Sequence, residues 1–104
     1  MLEIKSWLET TGYMVEEELF IKPPSLPYII FTEEIDTSGA DDKNCIADRK
    51  ISIELYSEEI NKVAEQAIEN LLNEKSIQYS KSRVWLNEEM MFETIYGFNL
   101  IEKF

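Results

Sequence analysis

Residues 51–56 read Ile-Ser-Ile-Glu-Leu-Tyr. Ile51, Ile53 and Leu55 alternate with Ser52, Glu54 and Tyr56, the period-two signature of a half-buried strand. A strand with one apolar face belongs to a sheet covered on one side only. The covering element follows at once in "EEINKVAEQAIENLLNE", residues 58–74. There Ile60, Val63, Ala64, Ala67, Ile68, Leu71 and Leu72 fall on one helical stripe. Ser57 is placed to cap this helix, and Glu58 and Glu59 suit the positive end of its dipole. Glu58 and Lys62 add an i,i+4 pair.

The remaining segments fit the same plan. "LEIKSWLETT" sets Ile4, Trp7, Leu8 and Thr11 at helical spacing, and Gly12 is suited to the position just past a helix end. "YMVEEELFI" is open between a helical continuation and an edge strand. The prolines of "KPPSLP" stop regular structure and form a rigid lead-in to "YIIFTEE", a β-rich run. PSLP also has the spacing read by grooves for proline-rich peptides, which chance supplies often. After residues 36–48 comes the strand at 49–56, then the helix, then a strand near 77–83. "MMFETIYGFNLIEKF" closes the chain as a long strand, with Phe92, Thr94, Tyr96, Phe98 and Leu100 on one face. The expected fold class is α+β, in the order α-β-β-α-β-β. Its mostly antiparallel four-stranded sheet has the helices packed on one face.

The chain has 104 residues, a single domain spanning 1–104. No run approaches the ~18 apolar residues of a membrane span. The first residues carry acids where a signal peptide needs an apolar stretch, which predicts a soluble, unexported protein of the cytoplasm. Cys45 is alone, so no disulfide forms within the chain. The net charge of −11 opposes direct binding to phosphate backbones.

Asp36, Asp41, Asp42, Asn44 and Asp48 crowd one loop, with Gly39 among them. The spacing is wrong for an EF-hand, which needs glycine sixth and glutamate twelfth. Counted from Asp36, those positions hold Asp41 and Ala47. The chain has no histidine, which excludes Ser-His-Asp and Cys-His nucleophiles. Cys45 has no partners for a zinc site, and three scattered glycines make no phosphate loop. These absences predict a non-enzymatic protein with no metal and no cofactor. Against the acidic loop stands an acid-free stretch, residues 75–87, with Lys75, Lys81 and Arg83. Segregated charge of this kind implies that copies of the chain complement one another.

The succession "PPSLPYIIF", "GADDKN", "ISIELYS", an acidic amphipathic helix and "IQYSKSRVWLNEEMMFETIYGFNLI" resembles small siphophage and prophage proteins. Those are encoded among the head–tail joining and tail-completion genes of Gram-positive phages, and are similar in plan to lambda-type tail terminators. The resemblance runs from about residue 10 to the end. It implies a ring, often a hexamer, at the end of the tail tube. The partners would be further copies and tail-tube or head–connector proteins, with DNA passing through unbound. On that reading Asp36, Asp41, Asp42, Asn44 and Asp48 of one copy meet Lys75, Lys81 and Arg83 of the next. The alternative is a small acidic inhibitor that mimics DNA in a basic groove of a host protein.

Overall fold

Helix α1 (Ile4–Glu9) starts where the Glu3 side chain accepts a hydrogen bond from the Ser6 amide at 3.2 Å. It ends before Gly12, whose φ of +91° is the left-handed region that glycine enters without strain. The computed structural model describes residues 1–38 and 46–103. After α1 come β1 (Met14–Glu17), β2 (Tyr28–Ser38), β3 (Ile46–Ser57), α2 (Lys62–Glu74), β4 (Ser80–Leu86) and β5 (Met91–Lys103).

The strands form one sheet in the order β1-β2-β3-β5-β4. This corrects the four-stranded expectation to five strands and a mixed sheet, while the α+β class with helices on one face stands. The added strand is β1, which pairs parallel to β2 from Met14↔Tyr28 to Glu17↔Phe31. Residues 18–27 carry the chain back to the start of β2 without reversing it, as a parallel pair requires. β2–β3, β3–β5 and β4–β5 are antiparallel.

Alternation then decides which side chains meet. Val15, Ile29, Leu55 and Thr94 align across the sheet, as do Phe31, Ile53 and Tyr96. Ile51 lies beside Phe98 on the same face. Ile4 and Leu8 of α1 and Ala64, Ile68 and Leu72 of α2 close over these residues as one core. Trp7 adds an edge-on contact to Phe98 at 6.3 Å between ring centroids.

The phase of α2 differs from the expected stripe. Val63 is 76% exposed and Ile60 47% exposed, so neither belongs to the core. The helix is capped by Asn61, whose Oδ1 accepts from the Ala64 amide at 3.0 Å. Ser57 ends β3 instead. Its buried Oγ has no hydrogen-bond partner among the described residues. The helix thus starts four residues later than expected, and its buried residues are Ala64, Glu65, Ile68 and Leu72. What draws a glutamate into that face is a cluster of cations on β4.

Candidate functional site

Glu65 is 1% exposed. Arg83 Nε and Nη2 donate to its two carboxylate oxygens at 2.9 and 2.7 Å. Lys81 Nζ lies 2.9 Å from Oε1, and Thr94 Oγ1 donates at 3.2 Å. Lys81 also bridges to Glu69 at 2.7 Å, whose carboxylate accepts a further bond from the Tyr96 hydroxyl at 2.7 Å. Burial pushes the Glu65 carboxyl up, but the hydrogen bonds from Arg83 and Lys81, with their charges, outweigh it and hold it at about 2. The Lys81 ammonium is raised, chiefly by its bond to Glu69. The cluster rivets α2 to β4 and β5.

A second cluster sits at the other end of the covered face. Arg49, 4% exposed, donates through Nε to Glu33 and through Nη1 to Glu102. The same Nη1 donates to the Leu2 carbonyl at 2.8 Å, and the Leu2 amide donates to Glu102 at 3.0 Å. Burial lowers the Glu102 carboxyl's tendency to ionise, yet the Arg49 hydrogen bond leaves its pKa below the usual carboxylate value. One guanidinium thereby ties β2, β3, β5 and the N-terminal segment together.

The residues singled out for an interface divide between these places. Lys81 and Arg83 are engaged within the chain by Glu65 and Glu69. Lys75 is exposed at the C-cap of α2. Asp36 and Asp48 are exposed and directly opposite each other on β2 and β3, and Asn99 donates to Asp48 at 3.0 Å. Asp41, Asp42 and Asn44 lie outside the described residues. Among the described residues no cluster of acids, cysteine and histidine forms a metal site.

The face of the sheet turned away from the helices carries Glu16, Glu34, Asp36, Asp48, Glu54 and Glu93 against Lys50 and Lys103. The Tyr56 hydroxyl is 2.6 Å from Glu54 and 2.8 Å from Glu93, and with one proton it donates to one of them at a time. Burial raises the Glu54 carboxyl; the Tyr56 bond works against this and Glu93 works with it. Phe20, from the segment between β1 and β2, packs on Tyr28 at one end of this face, which no described helix or strand covers, and no described helix is long and apolar enough to cross a membrane.

The ends of the sheet are unequal. β1 pairs with β2 only as far as Phe31, and β4 pairs with β5 only from Met91 to Gly97. Beyond those points β2, β3 and β5 continue as a three-stranded arm. Among the described residues, the outer edges of Thr32–Ser38 and Phe98–Lys103 have no strand partner. A groove follows the second of these edges, lined by Lys75, Ile77, Tyr79, Asn99, Leu100 and Ile101.

No family model matches the chain, and no curated protein matches it in sequence. In three dimensions it is similar to a chain in the structure of the virion of a native gene transfer agent particle. The TM-score is 0.63 at 11% identity, over 93% of this chain and 84% of that one. At that identity the likeness is one of fold.

Proposed function

We propose that this chain is a structural, non-enzymatic component of a phage-like virion. More narrowly, it acts as a tail-completion or tail-terminator-like protein that assembles as a ring at the head-proximal end of the tail tube. The observation that carries the reading is the likeness of nearly the whole chain to a component of a gene transfer agent virion. The order of sequence segments supports the same reading independently. The clusters around Glu65 and Arg49 serve it as rivets, fixing helices and arm to one rigid sheet. The acidic uncovered face is suited to line a channel, since fixed negative charge keeps a passing phosphate backbone from sticking. In this reading Asp36, Asp41, Asp42, Asn44, Asp48 and Lys75 lie at subunit contacts, with Lys81 and Arg83 beside them. The test is deletion of the gene, with the tails examined by electron microscopy. Tails of abnormal length, or heads and tails unjoined, are expected; complete virions would refute the proposal.

One observation favours a second reading. Glu34, Asp36 and Asp48 of the uncovered face are exposed, as the acids of a DNA mimic would need to be. A mimic acts as a monomer or two-fold dimer and displaces DNA from a basic protein. Gel-shift competition with DNA-binding proteins of the host tests this, and failure to displace DNA from any of them would remove it.

A further inference from the structure

Among the described residues the sheet leaves open the outer edges of β1 and β4 and the arm edges of β2 and β5. All but the last are guarded. In β1 the Glu17 amide donates to Glu16 at 3.1 Å, and the Glu17 carbonyl accepts from the Leu19 amide at 2.8 Å, so a docking strand finds those groups taken. The β2 edge beyond Phe31 carries Glu34 and Asp36, both exposed. Two such edges laid together would set like charges opposite one another, which is unfavourable. β4 turns the charges of Lys81 and Arg83 inward to Glu65. Inward-pointing charge is one of the devices that keep edge strands from pairing. Phe98–Ile101 of β5 has no charge, no proline and no covering strand among the described residues, and Ile101 is 73% exposed.

We infer that the β5 edge at Phe98–Lys103 pairs with the same edge of a second copy, antiparallel, about a two-fold axis perpendicular to the sheet. The space beside this edge is a notch. β4 begins at Ser80, opposite Gly97, while β5 runs on to Lys103. The two-fold lets the arm of each copy fill the notch of the other, and the second copy's β4 then lies beyond the end of the first copy's arm. Paired side chains share a face of the sheet, so only residues of like phase can stand opposite one another. Lys103 opposite Gly97 would collide with Ser80. The next register sets Lys103 opposite Asn99, Glu102 opposite Leu100 and Ile101 opposite Ile101, and it clears β4. On the uncovered face the exposed Ile101 is then buried against its own counterpart. On the helix side Glu102 of the second copy enters the groove whose wall carries Lys75. Glu102 shares the single cation Arg49 with Glu33, so two carboxylates meet one guanidinium and negative charge is left over. Lys75, exposed at the end of α2, complements it, and symmetry repeats the pair. The contact is isologous and closes at two copies. It belongs to the free protein and does not rest on the virion reading, whose ring is built from heterologous contacts.

Cross-linking and sedimentation test the joint. In a Cys45→Ser background, Ile101→Cys sets two thiols opposite each other across the axis, where paired Cα atoms stand about 4.5–5.5 Å apart. A short bis-maleimide is expected to join this variant into a covalent dimer. Asp36→Cys, also exposed on the uncovered face but on the acidic edge, should stay monomeric. No dimer from Ile101→Cys, or equal yields from the two variants, would overturn the inference. Sedimentation of the unmodified chain in reductant should show monomer and dimer only, with the dimer fraction rising as the protein is concentrated to about 1 mM. Monomer throughout, or species larger than a dimer that grow with concentration, would refute a contact that closes at two copies. Ile101→Lys sets two cations face to face at the axis. It should abolish the dimer while the unfolding midpoint of dilute protein stays unchanged, and a dimer that survives it would refute the joint. Complete virions from a gene deletion, together with a dimer in solution, would remove the tail-completion reading and leave the joint standing. Monomer throughout, together with tails of abnormal length, would do the reverse.

Discussion

Replacing Glu65 by glutamine keeps the volume of the side chain and removes its charge. Arg83 and Lys81 then lose the carboxylate between them but can rehydrate, being 25% and 32% exposed at their side chains. The magnitude follows from linkage. The carboxyl ionises at about 2 in the fold and near 4.5 in the unfolded chain. At about 1.4 kcal/mol per pH unit, that gap contributes about 3 kcal/mol of stability. Because the folded value is depressed, the contribution is complete above pH 4.5. It is lost as pH falls toward 2. This agrees with the ~3–5 kcal/mol cost of breaking a buried ion pair from one side. Urea unfolding, followed by the fluorescence of Trp7 and Trp85, measures it at several pH values. Glu65→Gln should lose about 3 kcal/mol at pH 7, and the difference from the parent should shrink steadily below pH 4.5. Glu69 and Glu102 are also depressed and weaken both proteins in acid, so the difference between the two isolates Glu65. A loss below about 0.5 kcal/mol at pH 7, or one of the same size at pH 3 and pH 7, would refute the argument.

Arg49→Met should cost about 3–5 kcal/mol by leaving Glu33 and Glu102 without their partner, and should speed hydrogen exchange at the Leu2 amide, both measurable on the purified protein. Ile68→Ala should cost about 2–5 kcal/mol in a denaturant titration, whereas Val63→Ala, on the exposed side of α2, should stay within about 0.5 kcal/mol. Gly97→Ala would put a Cβ 3.1 Å from Ser80 Oγ. The hydroxyl can swing aside, so the thermal midpoint should fall by only a few degrees, equivalent to less than about 1 kcal/mol.

Much of the covered side was legible. Ile51, Ile53 and Leu55 announced the half-buried strand, and the apolar positions of β5 fell on the face that they occupy. Arg49 was within reach of the same reasoning, because it sits in phase with Ile51, Ile53 and Leu55. Its charge hid it: an inward arginine is tolerable only with partners, and Glu33 and Glu102 are far away in sequence. Glu65 was masked in the same way inside α2, where Arg83 and Lys81 make its burial favourable. The apolar pattern alone favoured a different helical phase, since it scored Ile60 and Val63 as core. β1 was too short for periodicity to decide between helix and strand. The outer parts of β2 and β3, "DTS" and "IAD", have the pattern of a loop because they lack a continuous apolar face. In the arm they are held by pairing across β3, a long-range property that no local pattern carries.

The intrachain engagement of Arg83 changes how assembly has to be tested. Arg83→Glu would place a carboxylate against Glu65 and Glu69, so it should destabilise the fold before it touches any contact between copies. Loss of association in that variant is therefore uninformative. Lys75 is the cation to change, because it is exposed, ends α2 and lines the groove beside β5. Lys75→Glu removes a favourable charge from a helix C-terminus and should cost at most about 1 kcal/mol in the isolated chain. Its effect on association should be larger at low ionic strength, where charges across the proposed contact between copies meet unscreened. Charges at the rim of a contact act mainly on encounter rate. Association followed by light scattering should thus be slower for Lys75→Glu in dilute buffer. The two proteins should converge as salt shortens the screening length to a few ångströms, about 3 Å at molar concentration. Equal rates in dilute buffer would show that Lys75 lies outside the contact between copies.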